Sequence, residues 1–255
     1  MKVKYIGHAS FQIITKSNTK ILTDPWASNP IYGNTLCLFP QLRVSKKEYL
    51  NQNYIYISHD HPDHLCLKTL SLFDKEITIL IRKYKSPLII RNQIKLLGFK
   101  RIVELDDGHT FEKKNDFNFT LFADHTSTDS LCIVDDNYGC FLDQNDCLLS
   151  EEKYKIIGKK YKIDLGALFY SGGSMYPSSF DFTKQEKIKI TKKRIIDQFN
   201  YSIKTAQLLN IKNVIPGAND MCLLKKSPMD EFTSALPYEF YSYVTIDQNN
   251  NRNSS

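Results

Sequence analysis

The densest chemistry in the chain lies in Ser58-His59-Asp60-His61-Pro62-Asp63-His64, which has the pattern H-x-H-x-D-H. Chance would produce this pattern in roughly a few of ten thousand chains of such composition, so a loop that merely happens to be His-rich is a poor account of it. The spacing has a physical meaning. His59 and His61 leave a strand two residues apart, so both rings can point to one side of an extended segment. Pro62 disfavours helical backbone at His61. Asp63 and His64 follow and can face a second position. Imidazoles beside a carboxylate suit Zn, Fe or Mn. Two such ions roughly 3.5–4 Å apart would share one bridging hydroxide.

Other residues are weighed against a plain alternative. Asp24 ends a strand before Pro25 and can orient a ligand histidine as a hydrogen-bond acceptor, or simply cap a turn. His109, in Asp106-Asp-Gly-His109, reads as an exposed turn. Asp129 can serve the site or cap a turn equally well. Ser171, Gly172, Gly173 and Ser174 follow a strand end. Their backbone N–H groups can cradle an anionic group of a substrate, or the segment is a flexible turn. Lys184–Arg194 holds six cations on one helix. That pattern suits a solvated face, with steering of a phosphate-bearing substrate as the sharper alternative.

These residues need strands to carry them. Lys2–Ile6, Phe11–Thr15, Lys20–Thr23, Tyr54–Ser58, Ile77–Ile81, Arg101–Leu105, Phe117–Ala123, Leu165–Tyr170 and Asn213–Ile215 read as strands. Leu131–Val134 and Cys140–Leu142 flank Asn137-Tyr-Gly139 as a hairpin. Residues 27–50 read as irregular. Leu65–Phe73, Pro87–Leu97 and residues 183–210 read as helices, the last with Ile188, Ile195, Phe199 and Ile203 on one stripe. Strands come first and mixed strand and helix units follow, which predicts packed sheets with helices outside.

Composition sets the frame. The chain has 255 residues, 42% hydrophobic and 24% charged, as expected of a globular protein with a sizeable core. No apolar run is long enough to span a membrane, and the amino terminus lacks the apolar core of a secretion signal, so a cytoplasmic location is expected. Six scattered cysteines form no Cys-x-x-Cys pair, which speaks against a zinc ribbon or a Rieske cluster and for buried thiols. The net charge of +6 is a mild bias toward anionic ligands, with no specific nucleic-acid footprint. Residues 1–245 are expected to form one domain, and residues 246–255 a disordered polar tail. The oligomeric state is open.

The H-x-H-x-D-H run after a buried strand resembles the metallo-β-lactamase superfamily. Tyr5-Ile-Gly-His-Ala-Ser10, followed by Ile21-Leu-Thr-Asp-Pro-Trp26, is similar to the branch of the L-ascorbate-6-phosphate lactonases and N-acylphosphatidylethanolamine phospholipases D. Tyr54–Leu65, His125-Thr-Ser-Thr-Asp129, Leu142-Asp-Gln-Asn-Asp-Cys147 and Ser171–Pro177 look most like the metallo-β-lactamase-like domain of the CMP-N-acetylneuraminate hydroxylases. The resemblance covers about residues 3–230, and its first motif is its most specific. It implies an α/β fold, a four-layer αβ/βα sandwich with a dinuclear metal site at one edge.

The resemblance also implies roles. His59, His61 and His125 would hold one metal. Asp63, His64 and a bridging carboxylate would hold the second. Asp146 is preferred as the bridge because of the Asp-Cys pair, with Asp143 next. His8 would line the rim of the site or be structural. The superfamily usually supplies a further histidine near its C-terminal end, but none follows His125. Asp220 or Asn219 would replace it, or the second site would be weak. The hydroxylases carry a Rieske domain that is not seen in this sequence. The expected activity is therefore metal-dependent hydrolysis of an ester, lactone, amide or phosphodiester in a small anionic, sugar-linked substrate. Asp63 would orient the nucleophile, and the cofactors would be two divalent ions, Zn first and Fe or Mn next. An iron oxygenase component acting on a nucleotide sugar with a separate reductase is the alternative, and a non-catalytic metal-stabilised binding protein is a third.

Overall fold

Runs of Ile, Val, Phe and Tyr separated by Gly, Asn and Asp favour a pleated, half-buried backbone over helix. The computed structural model describes residues 1–33, 36–38, 42, 44–84, 89–124, 127–170, 176–177, 180–218 and 221–223. In chain order, the first elements are β1 (Lys2–Gly7), β2 (Ser10–Ile14), β3 (Lys20–Thr23), β4 (Leu36–Leu38), α1 (Lys46–Leu50) and β5 (Tyr54–Ile57). Next come α2 (Leu67–Leu70), β6 (Thr78–Arg82), α3 (Ile89–Leu96), β7 (Arg101–Leu105), β8 (Thr110–Lys113) and β9 (Phe117–Ala123). The chain continues with β10 (Ser130–Asp135), β11 (Cys140–Asp143), α4 (Glu151–Lys160) and β12 (Leu165–Phe169). It ends with α5 (Lys184–Leu208), β13 (Val214–Gly217) and β14 (Met221–Leu223).

Two six-stranded sheets result, in the orders β1-β2-β3-β5-β6-β7 and β13-β12-β11-β10-β9-β8, with β14 paired to β4 separately. Their inner faces meet in one core, where Phe11, Ile13, Tyr56 and Leu80 of the first sheet pack with Phe119, Leu121, Val134 and Phe141 of the second. The outer face of the first sheet is covered by helices, with Ile55, Ile57 and Ile79 against Tyr49, Leu70, Ile90 and Ile94. The outer face of the second is covered likewise, with Leu131, Ile133 and Leu142 against Tyr154, Ile157, Ala206 and Leu209. This is the expected four-layer αβ/βα sandwich. None of the described helices is long and apolar enough to cross a membrane.

The contacts divide the chain into two units. Residues 1–173 with 194–224 hold both sheets, and residues 174–193 with 225 onward form the other. In the second unit Thr183 and Glu186 cap α5 reciprocally: the Thr183 hydroxyl accepts from the Glu186 amide at 3.3 Å, and Glu186 accepts from the Thr183 amide at 2.8 Å. The proposed tail lies outside the described residues.

Several expectations need correction. Residues 27–50 contain β4 and α1, the latter capped by Ser45. The helix expected over Leu65–Phe73 shrinks to α2, because Leu65 and Cys66 belong to the turn leaving the metal-loop segment. Of the stripe expected on α5, Ile195 and Phe199 are half-buried, Phe199 against the Tyr170 ring. Ile188 and Ile203 are exposed, and Ser202, Thr205 and Ala206 face inward instead. Small residues permit that close approach, and apolarity alone misjudged the face. β8 and α4 had not been expected. α4 is set by Ser150, whose hydroxyl accepts from the Lys153 amide at 3.3 Å, and by Glu151 and Glu152 in its first turn.

Gly158 lets α4 meet the end of α5 backbone to backbone, since a Cβ there would lie 2.5 Å from the Leu208 carbonyl oxygen. Gly158→Ala gains about 1 kcal/mol in helix propensity. The overpacking, at about 1–3 kcal/mol, outweighs that gain. Thermal unfolding of the variant should show a lower Tm, and an unchanged or raised Tm would contradict this packing.

Candidate metal centre

Parallel strands send their C-terminal ends to one edge of a sheet, and the residues just beyond them converge there. β1, β3 and β5 run the same way, since β2 is antiparallel to both β1 and β3 while β3 and β5 are parallel. His8, Asp24 and Ser58-His59 follow these three strands directly. In the second sheet Asp146 lies just past β11, and Asp129 just before β10, its antiparallel neighbour. The two sheets are tied at this edge. Tyr56 Oη donates to the Ser130 carbonyl at 2.8 Å, and Ser130 Oγ donates to the Ser58 carbonyl at 2.8 Å. The backbone is strained here: His8, Asp24 and Asn145 have φ of 53°, 36° and 52°, rare for side-chain-bearing residues.

Asp24 is fully buried. Its Oδ1 accepts the Ser58 amide at 2.8 Å, and its Oδ2 accepts Ser58 Oγ at 2.6 Å and His64 Nδ1 at 2.8 Å. A carboxylate only accepts, so His64 carries its proton on Nδ1 and Ser58 spends its one hydroxyl proton on Asp24. Ser58 Oγ is then an acceptor, and His59 Nδ1, 2.9 Å away, must donate to it. Both histidines thus hold a proton on Nδ1, and both turn Nε2 toward the open side. This is how a partner behind a histidine orients it for a metal.

Two donor groups face that side, His59 with His61 and Asp146, and His8 with Asp63 and His64. His59 Nε2 stands 2.8 Å from His61 Nδ1 and 3.9 Å from Asp146 Oδ2. His64 Nε2 stands 3.6 Å from the same Asp146 oxygen and 3.7 Å from Asp63 Oδ2. His64 Nε2 is buried with no hydrogen-bond partner. Asp63 Oδ1 accepts Tyr32 Oη at 2.9 Å, and Asp63 Oδ2 lies 3.1 Å from His8 Nε2. An orphaned nitrogen among carboxylate oxygens and imidazoles fits a borderline divalent cation.

The electrostatics follow from burial and neighbours. Burial pushes His59 down to about 2, helped by the nearby His64, so His59 is a neutral imidazole. Burial opposes charge on His64, but Asp24, Asp146 and Asp63 around it outweigh that and raise it well above its ordinary value. Burial opposes ionisation of Asp63 and Asp146 too, yet His64 beside them holds both below the usual carboxylate range. Asp143 is the opposite case. Burial, aided by Asp24, pushes its carboxyl up to about 8, so it is neutral at pH 7.

The sequence-derived candidates therefore fall as follows. His8, Asp24, His59, His61, Asp63, His64 and Asp146 come together. Asp143, the last residue of β11, is sealed beneath them, with Oδ2 unpartnered. Asp129 sits at the margin, its Oδ1 4.0 Å from His59 Nδ1. His109 is exposed in its own turn, Nδ1 3.3 Å from the Asp107 carbonyl. His125, Asn219, Asp220 and Ser171, Gly172, Gly173 and Ser174 lie outside the described residues. Three contributors had not been singled out. Ser58 sits inside the motif and could have been found from its place before His59. Tyr32 comes from a segment read as irregular. Arg82, buried at the end of β6, donates to the carbonyls of Asp124, Ser127 and Asp129 at 2.6, 2.7 and 2.9 Å. It grips both ends of that segment, and nothing local in the sequence marks it.

Residues 2–134 match the family model described as the β-lactamase superfamily domain. The chain belongs to the β-lactamase superfamily. Its members are mostly metal-dependent hydrolases, and some are oxygenases. The chain is 28% identical over 235 residues to a Mycobacterium tuberculosis protein described as a Rieske 2Fe-2S iron–sulfur protein, covering 88% of this chain and 45% of that one. It is 25% identical over 203 residues to the cytidine monophosphate-N-acetylneuraminic acid hydroxylase of Asterias rubens, covering 76% of this chain and 30% of the hydroxylase. The chain thus spans less than half the length of these two relatives. A metallo hydrolase of the archaeon Ignicoccus hospitalis shares the fold, with a TM-score of 0.52 at 16% identity over 88% of this chain and 98% of that one. The resemblance read from the sequence, including its likeness to the hydroxylases, is thereby shown.

Ser58 serves both histidines at once, so its loss should be felt by both donor groups. Ser58→Ala should weaken metal retention by about 10–100-fold, the usual effect of removing a partner behind a ligand. Metal content after dialysis against a graded chelator checks this. Retention equal to the unaltered protein would remove Ser58 from the ligand support.

Proposed function

We propose that the protein is a metal-dependent hydrolase with two divalent ions at the sheet edge. His59, His61 and Asp146 hold one, with His125 as the further ligand. Asp63 and His64 hold the second, with Asp146 between the two. The observation that carries this reading is the convergence of two donor groups on one shared carboxylate oxygen, Asp146 Oδ2. When bound, such ions lower the pKa of water and polarise a carbonyl or phosphoryl oxygen.

The chain's own groups supply the rest. Asp63 is ionised and anchored by Tyr32 through Oδ1, which leaves Oδ2, beside His8 Nε2, as the oxygen to ligate and to orient a nucleophile. Tyr32 itself is 42% exposed at the rim, within reach of a substrate. The Asp24–Ser58 pair keeps Nε2 of His59 and His64 turned toward the donor groups. Ser171–Ser174 would cradle an anionic group of an ester, lactone, amide or phosphodiester. Zinc is the first expectation for the ions, and iron or manganese the next.

A second reading has its own support. The His64 group is rich in carboxylate oxygen, which leans toward iron or manganese. Two relatives carry iron–sulfur or hydroxylase names. On that reading the chain is an oxygenase component with electrons supplied separately.

Metal removal separates the two. Chelator-stripped protein should regain hydrolysis of a lactone or phosphodiester panel on adding zinc or manganese without oxygen. Oxygen uptake with iron and a reductant, and no hydrolysis with any metal, would overturn the hydrolase reading. His61→Ala should remove one ion and lower turnover by more than about 100-fold, since losing a ligand costs more than losing its support. Full metal content in that variant would refute the ligand assignment.

A further inference from the structure

We propose that His8 is a direct ligand of the second ion and completes a four-donor set with Asp63, His64 and Asp146. This rests on the two-ion reading above. Four donors about 2.0–2.2 Å from a tetrahedral ion stand roughly 3.3–3.6 Å from one another. Here His8 Nε2 is 3.1 Å from Asp63 Oδ2, which is 3.7 Å from His64 Nε2, which is 3.6 Å from Asp146 Oδ2. The ligand atoms of His8, Asp63 and His64 all lie within 4.8 Å of one another. The three separations are of the size found between neighbouring ligand atoms on one ion, with His8, Asp63 and His64 as one donor group and Asp146 reaching it through His64.

The environment of His8 points the same way. Its ring is 2% exposed, and its Nδ1 is buried without a hydrogen-bond partner. A buried imidazole with one ordinary hydrogen bond and one bare nitrogen is poorly compensated for leaving water. Coordination through Nε2 would replace that one hydrogen bond by a bond to a cation, with the ring proton then held on Nδ1. The backbone is bent to put the ring there. The β1–β2 register slips between Tyr5 and Gly7, the kind of bulge that re-aims a side chain. His8 then takes a left-handed φ of 53°, its carbonyl accepts the Ala218 amide at 3.1 Å, and Trp26 packs edge-on at 5.2 Å. Tyr32 holds the other oxygen of Asp63, so Oδ2 is not needed to anchor that carboxylate.

The rival role for His8 is a hydrogen-bond donor to Asp63 that never meets the ion. His8→Ala and His8→Gln distinguish the two, because glutamine keeps an N–H donor but is a poor ligand. The full chain is stripped and titrated with cobalt(II), and stoichiometry and the visible absorption of each equivalent are read. The unaltered protein should take two equivalents. Both variants should keep the first with its spectrum and bind the second more than about 100-fold more weakly, with the second spectral component lost. If glutamine preserves the second equivalent and its spectrum, His8 is only a donor and the proposal fails. An unaltered second equivalent in His8→Ala overturns it as well, while leaving the two-ion reading intact. Should the unaltered protein take only one equivalent, both fall together. If His8→Ala does not fold, the glutamine variant decides.

Discussion

A carboxylate buried at the end of β3 constrains everything at the sheet edge. Asp24 is inaccessible to water, so each of its lone pairs must find a donor within the protein. The donors come from one place, the Ser58 amide and hydroxyl and the His64 ring. That requirement fixes how the chain leaves β5, because the first residue after the strand must turn its amide toward β3. It also fixes the orientation of both rings, since Nδ1 of His64 is committed to Asp24 and Nδ1 of His59 to Ser58 Oγ. The left-handed backbone of Asp24 is a cost carried for this arrangement.

Position relative to the strand end decides what each carboxylate can do. Asp143 and Asp146 are three residues apart, yet one is held neutral and the other ionised. Asp143 still belongs to β11 and points into a sealed interior, where charge is penalised. Asp146 lies past the strand end and reaches the histidines, whose charge favours its ionised form. The same logic separates His59 from His64. Both are buried, but the carboxylates near His59 are outweighed by burial and by His64, whereas Asp24, Asp146 and Asp63 together outweigh the burial of His64.

Much of this was legible in the sequence, for physical reasons. H-x-H-x-D-H is local, so a one-dimensional spacing already determines which side chains share a face. Buried strands such as β5 and β9 announce themselves by apolar runs or by period two. What escaped notice was non-local or chemically bland. Arg82 acts on a segment more than forty residues away, through carbonyls that any sequence has. Tyr32 reaches Asp63 from a segment without periodicity. Ser202, Thr205 and Ala206 turn inward on α5 because they are small, and hydropathy cannot see size. In the sequence His8 reads as a rim residue or a structural one; only the fold shows that β1 ends at the same sheet edge as β3 and β5.

On the two-ion reading, the shared oxygen of Asp146 makes the two positions depend on one another. One carboxylate oxygen lies 3.9 Å from His59 Nε2 and 3.6 Å from His64 Nε2. A cation on the His59 side would share that oxygen with a cation on the His64 side, so a change at Asp146 would be felt at both positions. Repulsion between two such ions would be moderated by Asp24 and Asp63 beside His64, and Asp63 acts on His59 as well. On that reading the nitrogen-rich side would be the first position to fill, since imidazoles suit a borderline cation, and Asp146 would link it to the oxygen-rich side.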